Sequence, residues 1–340
     1  MSFNSRPTST HATQQDVADA AGVSRGLVSL ALKGEGRMSA QTRRRILDAA
    51  TRLDYHTNAA AAELAARHST RLAVVVPYLD NPFFDLLLRA LRRRAKEAGY
   101  TLVALVSDLA DDLESSTIDD VLSLRPAGLI LPGTSMTSEE LQNLGRRVRL
   151  CVIDRTLPES AGIATVRLDE MDAARLTVAH LTSHGYTRLA FLSPATRLRE
   201  AILSERIEQC RCAAASAGID FIEVDADAGI RSGITRAMDA GRGPLGLIAY
   251  NDLLAIDAVA AGLGLGLGIP QQLGISSYDN TSLAERAELS ITSIDQRPRM
   301  LAAGAVEALL TPGDISGFHR VVPARLIERA STARSPDPLV

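Results

Sequence analysis

The sequence predicts two fold classes in one chain of 340 residues: an all-α head and hinge, then an α/β core of two parallel-sheet lobes. Three observations predict it. A helical stretch is broken by "AGVS" at residues 21–24 and restarts at once on Ser24. From Leu72 onward, short apolar strands alternate with amphipathic helices, the pattern of parallel sheets. That alternation comes in two series, which reads as two similar lobes with a cleft between them.

Composition bounds the rest. Hydrophobic residues at 46% and charged residues at 23% are those of a soluble globular protein, and the length exceeds one ordinary core. No apolar run reaches the roughly 18–20 residues that span a bilayer. The polar N-terminus lacks a secretory h-region, so a cytoplasmic protein with no membrane partner is expected. Cys151, Cys210 and Cys212 are odd in number and form no C-x-x-C pair, which points to reduced thiols. Residues 1–71 hold ten Lys and Arg against six Asp and Glu, while the whole chain stands at −3. A basic head on an acidic body suits a polyanion at the head, although solvated surface charge produces the same imbalance.

In the head, Thr13 with Asp16 three residues on caps a first helix, Gln14 to about Ala21. Gly22 sits where the chain turns sharply, and Ser24 caps a second helix. Ser39 opens a third helix, Ala40 to Leu53, with Ile46, Leu47, Ala50 and Leu53 expected inward. Val17, Ala21, Val28, Ala31 and Leu32 have the spacing of faces that pack together. The result is a helix-turn-helix unit whose second helix presents its N-terminal face to a major groove. Ser24, Arg25, Gly26, Ser29 and Leu30 lie on or near that face. Arg25 is the expected base reader, because a guanidinium grips guanine O6 and N7 together. Ser24, Ser29 and Thr42 suit phosphates. An ordinary three-helix bundle with a solvated Arg25 has the same local signature. Asn58 then caps a short Ala-rich helix bearing one large apolar residue, Leu64. A helix this short is marginal alone and forms only against a partner; a plain linker is the alternative.

"DVADAAGVSRGLVSLAL", "MSAQTRRRI" and a hinge with a leucine together resemble the lactose-repressor (LacI/GalR) family of bacterial transcriptional regulators. The resemblance implies a dimer that binds double-stranded operator DNA, with Thr13 in the DNA-facing set and paired hinge helices around Asn58. It also implies that Leu64 wedges into the minor groove as a lever. Two departures stand out: Thr57 replaces the usual Pro before the hinge, and Leu30 stands where many members have Arg.

The resemblance continues through the body in "DNPFF", "IDR", "GYTRLAFL", "AYNDLLAIDAV", "SSYDN" and "TSIDQRP", and implies a periplasmic-binding-protein-like core. The expected domains are a head at 12–57, a hinge helix and linker at 58–70, an N-terminal lobe at 71–168 with 297–325, and a C-terminal lobe at 169–296. Predicted helices cover 83–98, 112–123, 138–146, 171–184, 200–217, 230–240 and 252–263, with one more in the crossing segment after Gln296. Ligands in open α/β sheets bind at the carboxyl ends of strands.

By position, the resemblance implies an effector site with Asn81, Phe83 and Phe84 on one lobe. Asp154, Arg206, Asn251, Asp279 and Gln296 supply its polar contacts. Carboxylates and amides suit vicinal hydroxyls, and Arg206 suits an oxygen pair or a carboxylate. Each has a plainer role available: Asp279 as a turn cap, Phe83 as core, Arg206 on a helix surface. A sugar or polyol is the expected effector, with a nucleoside, an organic acid or none as alternatives. Ala228 stands near where family sugar binders often carry a Trp, Asn280 replaces a frequent second Asp, and Ile-Glu-Gln follows Arg206.

"GLGLGLGIP" at residues 262–270 follows a helix and precedes a strand, the reverse of a phosphate-cradling loop. It reads as a frayed helix end whose leucines suit a dimer contact. The acidic run at 107–120 lacks clustered metal-binding oxygens, and the histidines show no H-E-x-x-H. No cofactor, metal or enzymatic activity is expected. The remaining alternatives are a solute-binding protein built on the same body and a regulator whose cleft takes no ligand.

Overall fold

The structure, a computed structural model, describes residues 12–32, 34–55, 69–108, 111–158, 162–195 and 202–334. The chain divides after Ser69 into two compact units. The first contains α1 (Gln14–Ala21), α2 (Arg25–Leu32) and α3 (Ala40–Arg52). Thr13 caps α1 in a full capping box: its hydroxyl accepts from Asp16 N (3.3 Å) and its own N–H donates to the Asp16 carboxylate (2.7 Å). Gly22 ends α1 at φ 61°, ψ 45°, a left-handed conformation that costs a side chain about 1 kcal/mol or more. This is the physical reason for the break. The three helices close on Val17, Ala18, Val28, Ile46 and Ala49.

α3 corrects one expectation. Ile46, Ala49 and Ala50 face inward, whereas Leu47 is 43% exposed and Leu53 37%. Leu47 lies about 100° around the helix from Ile46, and Leu53 has passed the last helical turn. The hinge, with Asn58, Leu64 and the Thr57 departure, lies outside the described residues.

The second unit holds two six-stranded sheets of the same strand order, which differ in the direction of one edge strand. The first is built from β1 (Arg71–Val76), β2 (Thr101–Val106), β3 (Gly128–Pro132), β4 (Leu150–Ile153), β5 (Ala164–Leu168) and β11 (His319–Val322), in the order β11-β5-β4-β3-β1-β2. The helices α4 (Pro82–Glu97), α5 (Asp111–Ser123) and α6 (Ser138–Gly145) connect its strands, and α11 (Pro298–Leu310) packs on α4. All its pairings are parallel. The second comprises β6 (Arg188–Ser193), β7 (Asp220–Asp225), β8 (Leu245–Ala249), β9 (Leu273–Tyr278), β10 (Thr292–Asp295) and β12 (Arg325–Ile327), in the order β12-β10-β9-β8-β6-β7. Here α7 (Glu170–Ser183), α8 (Ile202–Ser216), α9 (Ile230–Asp239) and α10 (Asp252–Gly264) are the connectors. Among the described residues, no helix is long and apolar enough to cross a membrane.

The chain crosses between the lobes once more than the sequence pattern indicates. After β11 it returns at once, and Arg325, read as part of the N-terminal lobe, opens β12 and pairs with Asp295 of β10 in an antiparallel ladder. "HRVV" and "RLI" are too short and polar to announce two strands in different sheets. The glycine run also differs from its reading. α10 continues through Gly264, and Gly262 is buried where a Cβ would come 2.8 Å from Leu273. Gly262 thus allows close packing of helix on strand rather than fraying. Of its leucines, Leu263 is exposed, while Leu265 and Leu267 pack on the lobe core.

Candidate functional site

The exposed face of the head starts at the turn between α1 and α2. Ser24 is exposed, and its hydroxyl accepts from Leu27 N (3.3 Å), which orients the first turn of α2. Arg25 and Gly26 are exposed beside it, with Arg25 Nε reaching the Gln14 amide oxygen at 3.4 Å. Ser29 and Thr42 are half-buried, and the Thr42 hydroxyl lies 2.9 Å from that of Ser39. Leu30 is 39% exposed and leans on the turn at Gly36, where an added Cβ would stand 3.0 Å from its own. Sequence reasoning missed Arg43. Its guanidinium donates to Ala31 O (3.2 Å) and Glu35 O (3.1 Å), capping the C-terminus of α2 from α3.

The second candidate site lies between the two lobes of the core. Asn81, Asp154, Asp279 and Gln296 follow the carboxyl ends of β1, β4, β9 and β10, where strand order makes ligand clefts. Seven of the eight residues singled out for an effector line one small cavity of about 10 Å³: these four with Phe83, Phe84 and Arg206. That is room for about one water. Asn251, the eighth, is not among the lining residues; its carboxamide caps α10 by accepting from Leu254 N (2.9 Å).

A hydrogen-bond chain runs from one lobe to the other through this cavity. Asn81 caps α4 through Phe83 N (3.0 Å), leaving its Nδ2 to donate across the cleft to Asp279 Oδ2 (2.8 Å). The Gln296 amide nitrogen donates to the other Asp279 oxygen, and its Oε1 accepts from Arg206 Nη2 at 3.5 Å. Arg206 is 2% exposed and held by Glu170: Nη2 reaches Oε1 at 2.8 Å and Nε reaches both oxygens at 3.2–3.3 Å. Arg206 Nη1 donates to Tyr250 O (3.1 Å), and the guanidinium lies 4.0 Å from the Tyr278 ring centroid. Glu170, Tyr250 and Tyr278 were all missed in the sequence. "LDEMD" reads simply as an acidic helix start, and only the packing of α7 on α8 brings Glu170 to Arg206.

Burial dominates the electrostatics. Asp279 is pushed up to about 8, first by desolvation and then by the Asp252 charge, against the lowering effects of Asn81, Arg206 and Gln296. Asp252 is raised by burial, while hydrogen bonds from Ser277, Thr281 and Ser293 oppose the shift. Burial lowers Arg206, but Glu170 more than offsets it and holds the guanidinium charged. Of the departures noted in the sequence, Ala228 is exposed and absent from the cavity lining. Asn280 Oδ1 accepts from Arg329 Nη2 at 2.6 Å.

A helix-turn-helix head followed by two like-folded lobes around a polar cleft defines the class of DNA-binding regulators built on a two-lobed core. Residues 13–58 match the profile of bacterial regulatory proteins of the lacI family, and residues 178–332 match a periplasmic binding protein-like domain. The chain is 27% identical to catabolite control protein A of Priestia megaterium over 304 residues, covering 87% of this chain and 91% of that one. It is 26% identical over 339 residues to the HTH-type transcriptional repressor CytR of Escherichia coli (strain K12), covering 96% and 98%. The fold is that of the lac repressor dimer bound to operator and the anti-inducer ONPF, with TM-score 0.81 and 23% identity across 95% of this chain and 99% of that one. The chain carries a lacI-family DNA-binding domain ahead of a periplasmic-binding-protein-like domain and is a DNA-binding transcriptional regulator.

Proposed function

We propose that the chain acts in the cytoplasm as a homodimeric repressor of a palindromic operator, controlled by a small molecule in the interlobe cleft, and not as an enzyme. A two-fold dimer matches an inverted repeat, with α2 of each head in a major groove. Arg25 reads a base; Thr13, Ser24, Gly26, Ser29, Leu30 and Thr42 position the head on the backbone and groove. Asn58 and Leu64 serve the hinge, with Leu64 as the minor-groove lever. The effector contacts are Asn81, Phe83, Phe84, Asp154, Arg206, Asp279 and Gln296, with Asn251 capping α10 behind them.

The observation that carries the regulatory half is the direct Asn81–Asp279 hydrogen bond across a cleft with almost no free space. A ligand entering there must part these groups, and so changes lobe closure. Donor-rich, acceptor-rich walls with three aromatic rings suit a sugar or polyol. A cleft that takes no ligand is the second reading, favoured by the same lack of space and by the outward position of Ala228. Thermal melts against sugars, polyols and nucleosides separate the two. A ligand at about 100 times its Kd adds roughly 2.7 kcal/mol, and a genuine effector also alters DNA affinity. No stabilisation by any compound, with DNA binding intact, supports the second reading.

A further inference from the structure

We propose that Asp252 is a positioning residue for the contact between the lobes: its buried carboxylate fixes the turn that presents Asp279 to Asn81. The inference concerns that contact itself and holds or fails independently of any effector in the cleft.

Asp279 and Asn280 follow β9 with positive φ, 103° and 52°. Residues other than glycine rarely adopt this region, and two in succession persist only where their surroundings over-determine them. The turn sets the Asp279 carboxyl group against Asn81 Nδ2 of the other lobe, at 2.8 Å.

The surroundings converge on one group. Asp252 opens α10, is fully buried and lines neither the cavity nor the depression beyond Asp279. Its Oδ2 accepts from Thr281 N (2.6 Å) and Thr281 Oγ1 (2.8 Å), directly after the two strained residues. Its Oδ1 accepts from Ser277 Oγ on β9 and Ser293 Oγ on β10, the latter at 2.8 Å. Ser293 Oγ in turn accepts from Asn280 N (3.0 Å). The turn is therefore gripped on both sides of Asn280 by groups that Asp252 orients. Four hydrogen bonds saturate one ionised carboxylate. For stability alone a buried carboxylate is a poor choice, because apolar packing joins strands with less desolvation. What this one adds is a fixed shape for the turn.

The test is the coupling between Asn81 and Asp279, read as a double-mutant cycle of Asn81→Ala and Asp279→Ala in the unfolding equilibrium of the full chain. Contacting residues couple by roughly 2- to 100-fold in that equilibrium. The cycle is run in wild type, Asp252→Asn and Asp252→Ala. Asparagine keeps the clamp, with its oxygen on Thr281 and its amide hydrogens on the two serines. The expected result is a coupling retained in Asp252→Asn and lost in Asp252→Ala. A less stable Asp252→Ala with the coupling intact reduces Asp252 to a structural role and overturns the proposal. Thr281→Val removes only the hydroxyl grip and serves where Asp252→Ala does not fold: its coupling should fall, and an unchanged one is equally fatal.

A pH profile supplies a second readout. Among the described residues, the charged and titratable groups around Asp279 are Arg206 and Asp154 at the cavity, Asp295, Arg297 and Arg299 beyond it, and Asp252. The Asp252 charge helps to raise Asp279. In an Asp252→Asn background, the gain in melting temperature of Asp279→Asn over its parent should therefore level off at lower pH than in wild type. Identical profiles contradict an ionised Asp252 beside Asp279, and with it the carboxylate clamp.

Discussion

At the scale of single residues, Asp279 carries the most consequence. It accepts from both lobes, through Asn81 and Gln296, while burial and Asp252 push its carboxyl up to about 8. An acid raised above its ordinary value of about 3.9 favours the folded protein while protonated. That contribution is complete below about pH 4 and is lost as pH rises through about 8. Asp279→Asn keeps the amide-like shape without the titration. The melting temperature of this variant relative to wild type should therefore climb from pH 5 to pH 9, by at least about 2–4 °C, the change per kcal/mol for a domain of this size. A difference that stays flat with pH removes Asp279 as the titrating group. Individual cavity residues were legible through the family resemblance of motifs such as "IDR" and "SSYDN", which end strands. Glu170 was not, because its partner Arg206 is 36 positions away on another helix.

At the scale of elements, α2 decides what the head does. Its start is fixed by Gly22 and Ser24, its end by the Arg43 guanidinium, and its exposed N-terminal turn carries Arg25. Arg25→Ala should weaken binding to the preferred duplex by about 1–3 kcal/mol and relax one base position, measured by titration of single-base variants. An unchanged preference at every position excludes it as a reader. Helix positions were legible throughout the core, since apolar periodicity and caps such as Asn81 and Asp169 set them within one or two residues. The last two strands were not: β11 and β12 take their sheet from their neighbours, and nothing in four or three residues specifies which lobe receives them. Leu47 misled for the opposite reason, an apolar residue on the exposed side of a small bundle.

At the scale of the whole molecule, two lobes of one strand order meet at the carboxyl ends of their strands, and a polar chain from Asn81 to Glu170 ties them together. Whatever separates Asn81 from Asp279 changes both lobes at once, and under the proposed function reciprocity requires that an effector bound there and operator DNA affect each other's affinity equally. The central claim is a dimer that reads an inverted repeat. Its most direct test is selection of bound duplexes from a random pool by the full chain, with the affinity of the winners followed against salt. The account predicts an enriched inverted repeat whose log affinity falls linearly with log salt as phosphate contacts release counterions. Enrichment of no sequence, or of a single asymmetric site, contradicts it.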